Sequence, residues 1–130
     1  MKMQNTEYQI QNWGKENPVE EKSMSFAVRI VNLFRYLNQT HKEFVLSKQL
    51  LRSGTSIGAN IAEAQRSQSR ADFAAKMGIA LKEASETKYW LTLLQKTEYI
   101  STQQYSSLIT DLQELLCLLT AICKTANYIK

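Results

Sequence analysis

The chain has 130 residues, of which 44% are hydrophobic and 22% charged, and its formal net charge is +4. This length and apolar content suffice for one hydrophobic core and exclude two ordinary domains. One Pro and four Gly are too few for the frequent turns of an all-β chain, so the composition indicates an all-α fold.

The beginning of the chain differs in composition from the rest. Residues 1–16 are polar apart from Tyr8, Ile10 and Trp13. We expect them to form a partly disordered tail, or to dock through Trp13, ahead of a helical domain at residues 17–130. The start lacks the apolar core of a signal peptide, and charged residues interrupt the apolar segments before the roughly 18 residues of a membrane span. The sequence therefore predicts a cytoplasmic protein without a membrane partner.

The first predicted helix begins at Asn17-Pro18-Val19-Glu20. This segment supplies a capping residue, Pro at the first helical position, and an acid three residues after the cap. The following apolar residues are spaced as one buried helix face. They are Phe26, Ile30, Leu33, Phe34 and Leu37. We expect this helix to end near residues 40–41.

The second predicted helix runs from residues 43–44 to about Ser67 and carries a row of small residues. Its buried side consists of Leu46, Leu50, Ile57 and Ile61. Gly54, Gly58 and Ala62 follow at intervals of four residues, so they lie on one helix face. Each Gly costs about 1 kcal/mol relative to Ala in a helix interior. The row therefore predicts a compensating close approach of another helix, a kink or a ligand contact.

A stripe of polar residues accompanies this row. Its members are Gln49, Ser53, Ser56, Asn60, Glu63 and Ser67, spaced by alternating steps of four and three. A solvated helix face is more often rich in Lys and Glu. We interpret the stripe as hydrogen bonding within the bundle or across a subunit contact, or alternatively as a surface for a polar ligand or nucleic acid.

Two further helices complete the predicted fold. The third starts at a Ser69 cap and continues to about Thr97, with a core stripe of Phe73, Met77, Ala80, Leu81, Ala84, Leu91 and Leu94. The fourth starts at a Ser101 cap, and its core stripe is Tyr105, Leu108, Leu112, Leu115, Leu119, Ile122 and Ala126. Four helices with short connections predict an antiparallel up-down-up-down bundle about 35 Å long.

The fourth helix has a second apolar row in addition to its core stripe. Ile109, Leu116 and Cys123 follow at intervals of seven residues. One bundle core rarely needs both rows. We therefore expect the apolar surface of the second row, together with the small-residue face of the second helix, to form an oligomer interface. Cys117 and Cys123 have neither a same-helix disulfide spacing nor a CxxC spacing, and we expect two buried thiols.

Residues 46–94 resemble the four-helix-bundle family of 23S rRNA intervening-sequence proteins. The densest match is R-S-x-x-S-I-x-x-N-I-x-E, here Arg52, Ser53, Ser56, Ile57, Asn60, Ile61 and Glu63, followed by Phe73 and ALKEASETKYWL at 80–91. The resemblance implies a bundle that assembles into a ring-like homopentamer. A related branch resembles the accessory proteins of diversity-generating retroelements, basic pentamers that bind nucleic acid and a reverse transcriptase. RNA or DNA and a reverse transcriptase are therefore the implied partners.

Positive charge is concentrated in the middle of the chain. Residues 29–96 contain 11 Lys/Arg and 5 Asp/Glu, a net charge of +6, whereas the remaining residues carry −2. Clustered cations are what binding to phosphates requires. The candidate nucleic-acid-binding residues are Arg52, Arg66, Arg70 and Lys76. The alternative is that these charges are solvated or paired within the chain, for example Arg52 or Arg66 with Glu63.

Enzymatic and metal-binding patterns are absent from the sequence. His41 is the single histidine, no E-x-x-H accompanies Glu83/Glu86 or Asp111/Glu114, and no Gly-rich phosphate loop occurs. We therefore predict a non-enzymatic protein without a cofactor or metal. Two functions remain, an oligomer that holds the RNA or DNA backbone, or a structural and protein-interaction scaffold.

Overall fold

A computed structural model describes residues 17–128. The chain forms four helices, which we label α1 (Pro18–His41), α2 (Leu46–Ala64), α3 (Arg70–Lys96) and α4 (Thr102–Tyr128). No strand occurs in residues 17–128, and the helices pack against each other, so the all-α fold is confirmed. The tail predicted at 1–16 lies outside the described residues.

Three helices begin at the predicted capping residues. Asn17 Oδ1 accepts a hydrogen bond from the N–H three residues later at 3.2 Å. Ser69 Oγ accepts the equivalent bond at 3.0 Å. At α4, Ser101 Oγ accepts from the N–H of Gln104 at 3.0 Å, and the Gln104 side chain accepts from the N–H of Ser101 at 2.8 Å. These bonds satisfy backbone donors that have no partner within a helix.

The turn between α1 and α2 delays the start of α2 relative to the prediction. Lys42 adopts a left-handed conformation with φ 55°, and its N–H bonds to the carbonyl of Leu37, which ends α1. The Glu43 carboxylate then accepts the N–H groups of Val45, Leu46 and Ser47 at 3.1, 2.9 and 2.7 Å. Glu43 therefore caps α2 from outside the helix, and α2 begins at Leu46.

The end of α2 also differs from the prediction. After Ala64 the backbone N–H groups bond to carbonyls three residues earlier, and the last such bond is Ser67 N–H to Ala64 O at 3.1 Å. This tighter turn cannot continue an α-helix, whose bonds span four residues. The predicted end at about Ser67 is therefore three residues too late.

The core forms where the predicted apolar stripes meet. Fully buried side chains come from every helix and include Ile30, Leu50, Ile57, Met77, Leu91, Leu112 and Leu115. Phe34, Leu46 and Leu81 are half-buried rather than buried. The polar residues Ser47, Ser53 and Thr87 are also fully buried.

Helix α1 contacts α2 through the small residues of α2, a contact that we call the α1–α2 seam. A Cβ added to Gly54 would lie 2.9 Å from Cγ1 and Cγ2 of Ile30, and one added to Gly58 would lie 3.3 Å from Oγ of Ser23. The small residues therefore allow the close helix approach that the sequence predicts. Ala62, the third member of the row, is exposed and takes no part in this close contact.

On its other side α1 contacts α4 through polar side chains, a contact that we call the α1–α4 seam. Lys22 Nζ lies 2.9 Å from Glu114 Oε2, and Arg29 Nη1 lies 2.7 Å from Asp111 Oδ2. The order of these pairs is reversed along the two helices, as in antiparallel neighbours. Between them lies a groove of about 320 Å³, and beyond Arg29 lies a second of about 290 Å³.

Helix α4 is the most apolar element of the described chain. Thr102–Asn127 is long and apolar enough to be a candidate membrane span by length and composition, with a mean hydropathy of 1.4. Asp111 and Glu114 nevertheless interrupt the apolar residues of this helix, as expected from the sequence. Only 22% of this apolar window is buried. Cys117 is exposed and Cys123 is buried, so the prediction of two buried thiols is correct for Cys123 only.

Candidate nucleic-acid interface on the second and third helices

The four candidate nucleic-acid-binding residues lie along the boundary of α2 and α3, which we call the α2–α3 face. Arg52 is near the middle of α2, and Lys76 is on the facing side of α3. Arg66 lies in the turn that joins the helices, and Arg70 is the first residue of α3. The fold thus places all four on one side of the molecule.

Arg52 is engaged by two carboxylates of α3. Its Nη1 lies 3.4 Å from Glu83 Oε1, and its Nη2 bonds to Glu86 Oε2. Glu86 Oε2 also accepts the indole N–H of Trp90 at 3.0 Å. The Trp90 and Arg52 hydrogen bonds hold the pKa of Glu86 below its usual value, because both stabilise the ionised carboxylate. Arg52 therefore contributes an ion pair between α2 and α3.

Lys76 is paired as well, with Glu63 of α2 at 3.4 Å between Nζ and Oε1. The predicted alternative, Glu63 with Arg52 or Arg66, is not found in residues 17–128. Arg52 is eleven residues from Glu63, about 16 Å along the helix axis at 1.5 Å per residue. Arg66 lies beyond the end of α2, where the helical i, i+3 relationship no longer applies.

The α2–α3 turn holds the other two cations. Arg66 is exposed, whereas Arg70 is half-buried. The α2–α3 face therefore alternates positive and negative side chains, since Glu63, Glu83 and Glu86 lie between the four cations. This arrangement offers less positive potential to a phosphate backbone than the count of Lys and Arg alone indicates.

Three residues of the polar stripe of α2 form side-chain hydrogen bonds inside the chain. Thr87 Oγ1 of α3 donates to Ser53 Oγ at 2.9 Å, and both residues are buried. Ser56 Oγ donates to the carbonyl of Arg52 at 2.6 Å, and Asn60 Nδ2 donates to that of Ser56 at 2.8 Å. Ser53, Ser56 and Asn60 therefore bond within the chain, whereas Ser67 Oγ has no hydrogen-bond partner among the described residues.

Sequence reasoning did not identify the partners on α3. Thr87 falls between Ala84 and Leu91 at core spacing, and this was the available signal for a buried hydroxyl. Glu83 and Glu86 lie on one helix face because of their i, i+3 spacing. This spacing predicts two neighbouring carboxylates, but it does not identify Arg52 as their partner.

The predicted interface residues of α4 lie at the edge of the core. Ile109 and Leu116 are partly buried and pack against the core cluster. Tyr105, four residues before Ile109, bonds through its hydroxyl to that of Thr92 in α3 at 3.1 Å. Ile109 and Leu116 therefore lie near the edge where α4 meets α3.

Titratable side chains do not form a candidate metal site in the described part of the chain. No group of three or more His, Cys, Asp or Glu residues within 17–128 has the arrangement of a metal site. His41 is exposed at the end of α1, and its Nε2 lies 3.1 Å from the hydroxyl of Tyr36.

Comparison with known proteins identifies a family and a solved relative. The family model described as 23S rRNA-intervening sequence protein matches residues 15–121. A crystal structure of a protein of unknown function from the S23 ribosomal protein family of Bacteroides thetaiotaomicron VPI-5482 is similar, with 61% sequence identity and a TM-score of 0.81. The match covers 82% of this chain and 98% of that chain. No curated protein matches the sequence.

Proposed function

Since this chain belongs to the family of 23S rRNA-intervening sequence proteins, we propose that it is a non-enzymatic protein that self-assembles into an oligomeric scaffold. The observation that carries the proposal is the apolar surface that a single chain leaves uncovered. Met24 and Val28 of α1 are 65% and 53% exposed, and Ile79 and Tyr89 of α3 are 41% and 60% exposed. Apolar surface of this kind favours association in water.

The number of subunits is proposed from the resemblance, which implies a ring-like homopentamer. Identical subunits joined by one repeated contact form a closed ring when the rotation between them closes. We expect light scattering at micromolar concentration to give a mass about five times the 14.9 kDa of one chain. A mass of 14.9 kDa under these conditions would contradict the proposal.

Binding of the RNA or DNA backbone is the second candidate function. It is supported by the net charge of +6 over residues 29–96 and by the exposure of Arg66 in the α2–α3 turn. Five chains would carry a formal charge of about +20, and a ring would concentrate that field. The pairing of Arg52 and Lys76 with carboxylates disfavours these two as phosphate ligands, so we place the contacts nearer the exposed Arg66 in the α2–α3 turn.

A salt series distinguishes the two functions. If Lys and Arg neutralise phosphates, affinity for RNA or DNA falls steeply with salt concentration. Changing Arg66 and Arg70 together to Gln should lower the affinity and the salt slope without changing the oligomer mass. Lys82→Gln with Lys96→Gln on α3 removes the same charge elsewhere and is the matched control.

Each result assigns a function. No binding of wild-type protein at low salt leaves the scaffold as the function. An equal loss in both double variants indicates general charge attraction, and a loss confined to the control places the contacts on α3. A reverse transcriptase is the protein partner that the resemblance implies, and co-purification with one would test that part.

A further inference from the structure

The outward surface of α1 carries two exposed apolar side chains. Met24 and Val28 are one helical turn apart and are 65% and 53% exposed. Arg29, which pairs with Asp111, marks the side of α1 that faces α4. At 100° per residue, Met24 and Val28 point away from α4. We call these two residues the α1 outer surface.

The side of the bundle where α3 meets α4 combines small residues of α3 with partly buried apolar residues of α4. The Thr92–Tyr105 hydrogen bond marks the edge where these helices meet. Gly78 and Ser85 precede Thr92 at intervals of seven residues and therefore lie along the same edge. Ile109 and Leu116, partly buried, provide the adjoining side of α4. We call Gly78, Ser85, Ile109 and Leu116 the α3–α4 face.

Gly78 differs from the two glycines of α2. A Cβ at Gly54 or Gly58 would contact α1, whereas a Cβ at Gly78 would have no atom within 4 Å. Gly weakens a helix interior, and no contact within the described chain compensates for it at Gly78. Its lack of a side chain leaves space on the α3–α4 face for the side chain of another molecule.

The charges beside the two surfaces are opposite. Glu20 and Glu21 lie in the first turn of α1, near Met24. Burial and the charge of Glu21 raise the pKa of Glu20. Lys88 and Lys124 lie beside the α3–α4 face and are exposed. None of these four residues forms an ion pair within residues 17–128.

We propose that the α1 outer surface of one copy of this chain docks on the α3–α4 face of the next copy. This inference rests on the proposed self-assembly and specifies its contact. In the docked state, Met24 and Val28 would occupy the space at Gly78 and contact the apolar side chains of α4. Because the two surfaces differ, every copy uses both, and a repeated contact of this kind forms a ring when the rotation between copies closes.

Cross-linking of two single-cysteine variants tests this pairing. Both variants carry Cys117→Ser and Cys123→Ala; one also carries Val28→Cys and the other Ser85→Cys. The two are co-refolded and treated with a short bismaleimide. We expect covalent dimers that contain one chain of each kind, at least tenfold more than either variant forms alone.

Three results would overturn the pairing. If either variant links to itself as efficiently as the mixture does, the contact joins like surfaces. If an oligomer forms and the mixture does not cross-link, the subunits meet elsewhere and the proposed scaffold stands. If the protein is a monomer, both the pairing and the proposed self-assembly are wrong.

Charge insertion gives a second measurement. Val28→Glu should reduce the light-scattering mass to 14.9 kDa while the circular dichroism spectrum stays helical. Gly78→Leu should do the same by filling the space on α3. Val45→Glu is the matched control, since Val45 is 71% exposed and belongs to neither surface, and its mass should not change. An unchanged mass for both Val28→Glu and Gly78→Leu overturns the pairing.

Discussion

Helix α1 is held by two seams of different chemistry. At the α1–α2 seam, Gly54 brings the α2 backbone directly against Ile30. At the α1–α4 seam, the bridging groups are the long side chains of Lys22 and Arg29, and grooves remain between them. Close packing therefore holds α1 against α2, whereas solvent-exposed ion pairs connect α1 to α4.

The difference shows how each seam responds to change. Close-packed backbone has no room for an added side chain, so overpacking costs about 1 to 3 kcal/mol. Exposed ion pairs contribute about 0 to 1 kcal/mol because water and salt screen them. We therefore expect the α1–α2 seam to dominate the stability of α1.

The largest expected effect is that of Gly54→Leu. The first carbon of the added side chain would already lie 2.9 Å from Ile30, which is fully buried and has no room to move away. We expect a loss of about 3 kcal/mol in the free energy of unfolding, at the upper end of overpacking costs, measured by urea denaturation. Ala59→Leu at an exposed position of the same helix should change it little. Equal midpoints for the two variants would contradict the close contact.

Gly58→Leu should have a smaller effect at the same seam. Its nearest neighbour is the hydroxyl of Ser23 at 3.3 Å, and Gly58 is only half-buried. We expect a loss of about 1 to 3 kcal/mol that is less than that of Gly54→Leu. A wild-type melting temperature in thermal denaturation would show that this part of the seam tolerates bulk.

Glu43→Gln tests the turn that joins α1 to α2. Burial opposes ionisation of Glu43, but the N–H groups of Leu46, Ser47 and Val45 outweigh it and lower its pKa. A lowered folded-state pKa gives stabilisation that is present above the unfolded value of about 4.3 and is lost as pH falls through the folded value.

At pH 7 we expect the Gln variant to be less stable by about 1 kcal/mol, the typical effect of a lost helix cap. Urea denaturation between pH 7 and pH 3 should show that the difference from wild type shrinks below about pH 4.3. A difference that is constant over this range would mean that the carboxylate charge has no role.

The smallest effect is expected at the α1–α4 seam. Arg29→Ala removes the pair with Asp111, whose side chains are 38% and 46% exposed. We expect a loss of at most about 1 kcal/mol, because exposed pairs are screened. Repeating the measurement in 1 M salt should reduce the difference further. A loss as large as that of Gly54→Leu would reverse the ranking of the two seams.

Local sequence patterns predicted most of the fold. The caps at Asn17, Ser69 and Ser101 depend on residues three positions apart, and such patterns are readable from one sequence. The start of α2 was not, because Lys42 is left-handed without being Gly and Glu43 caps several N–H groups at once. Neither feature has a regular sequence pattern.

The candidate site was predicted less completely. The positions of Arg52 and Lys76 on one face follow from helix periodicity, but their partners depend on how α2 and α3 are rotated and aligned. Arg52 and Glu86 are 34 residues apart, and no local rule relates them. Ala62 belongs to the small-residue row by sequence spacing but is exposed in the structure. Helices that cross at an angle stay in contact over only part of their length, and the spacing alone does not show where the contact ends.

Aromatic residues at one end of the bundle have a consequence for its motions. The ring of His41 lies edge-on to those of Tyr36 and Tyr99, so the α1–α2 and α3–α4 turns are held together there. The opposite end of the bundle contains the α2–α3 turn, the first turn of α1 and the last turn of α4. Local opening is easiest where fewer contacts restrain the chain. Amide hydrogens should therefore exchange with solvent fastest at the end that lacks these rings, and protection should rise along the helices toward His41.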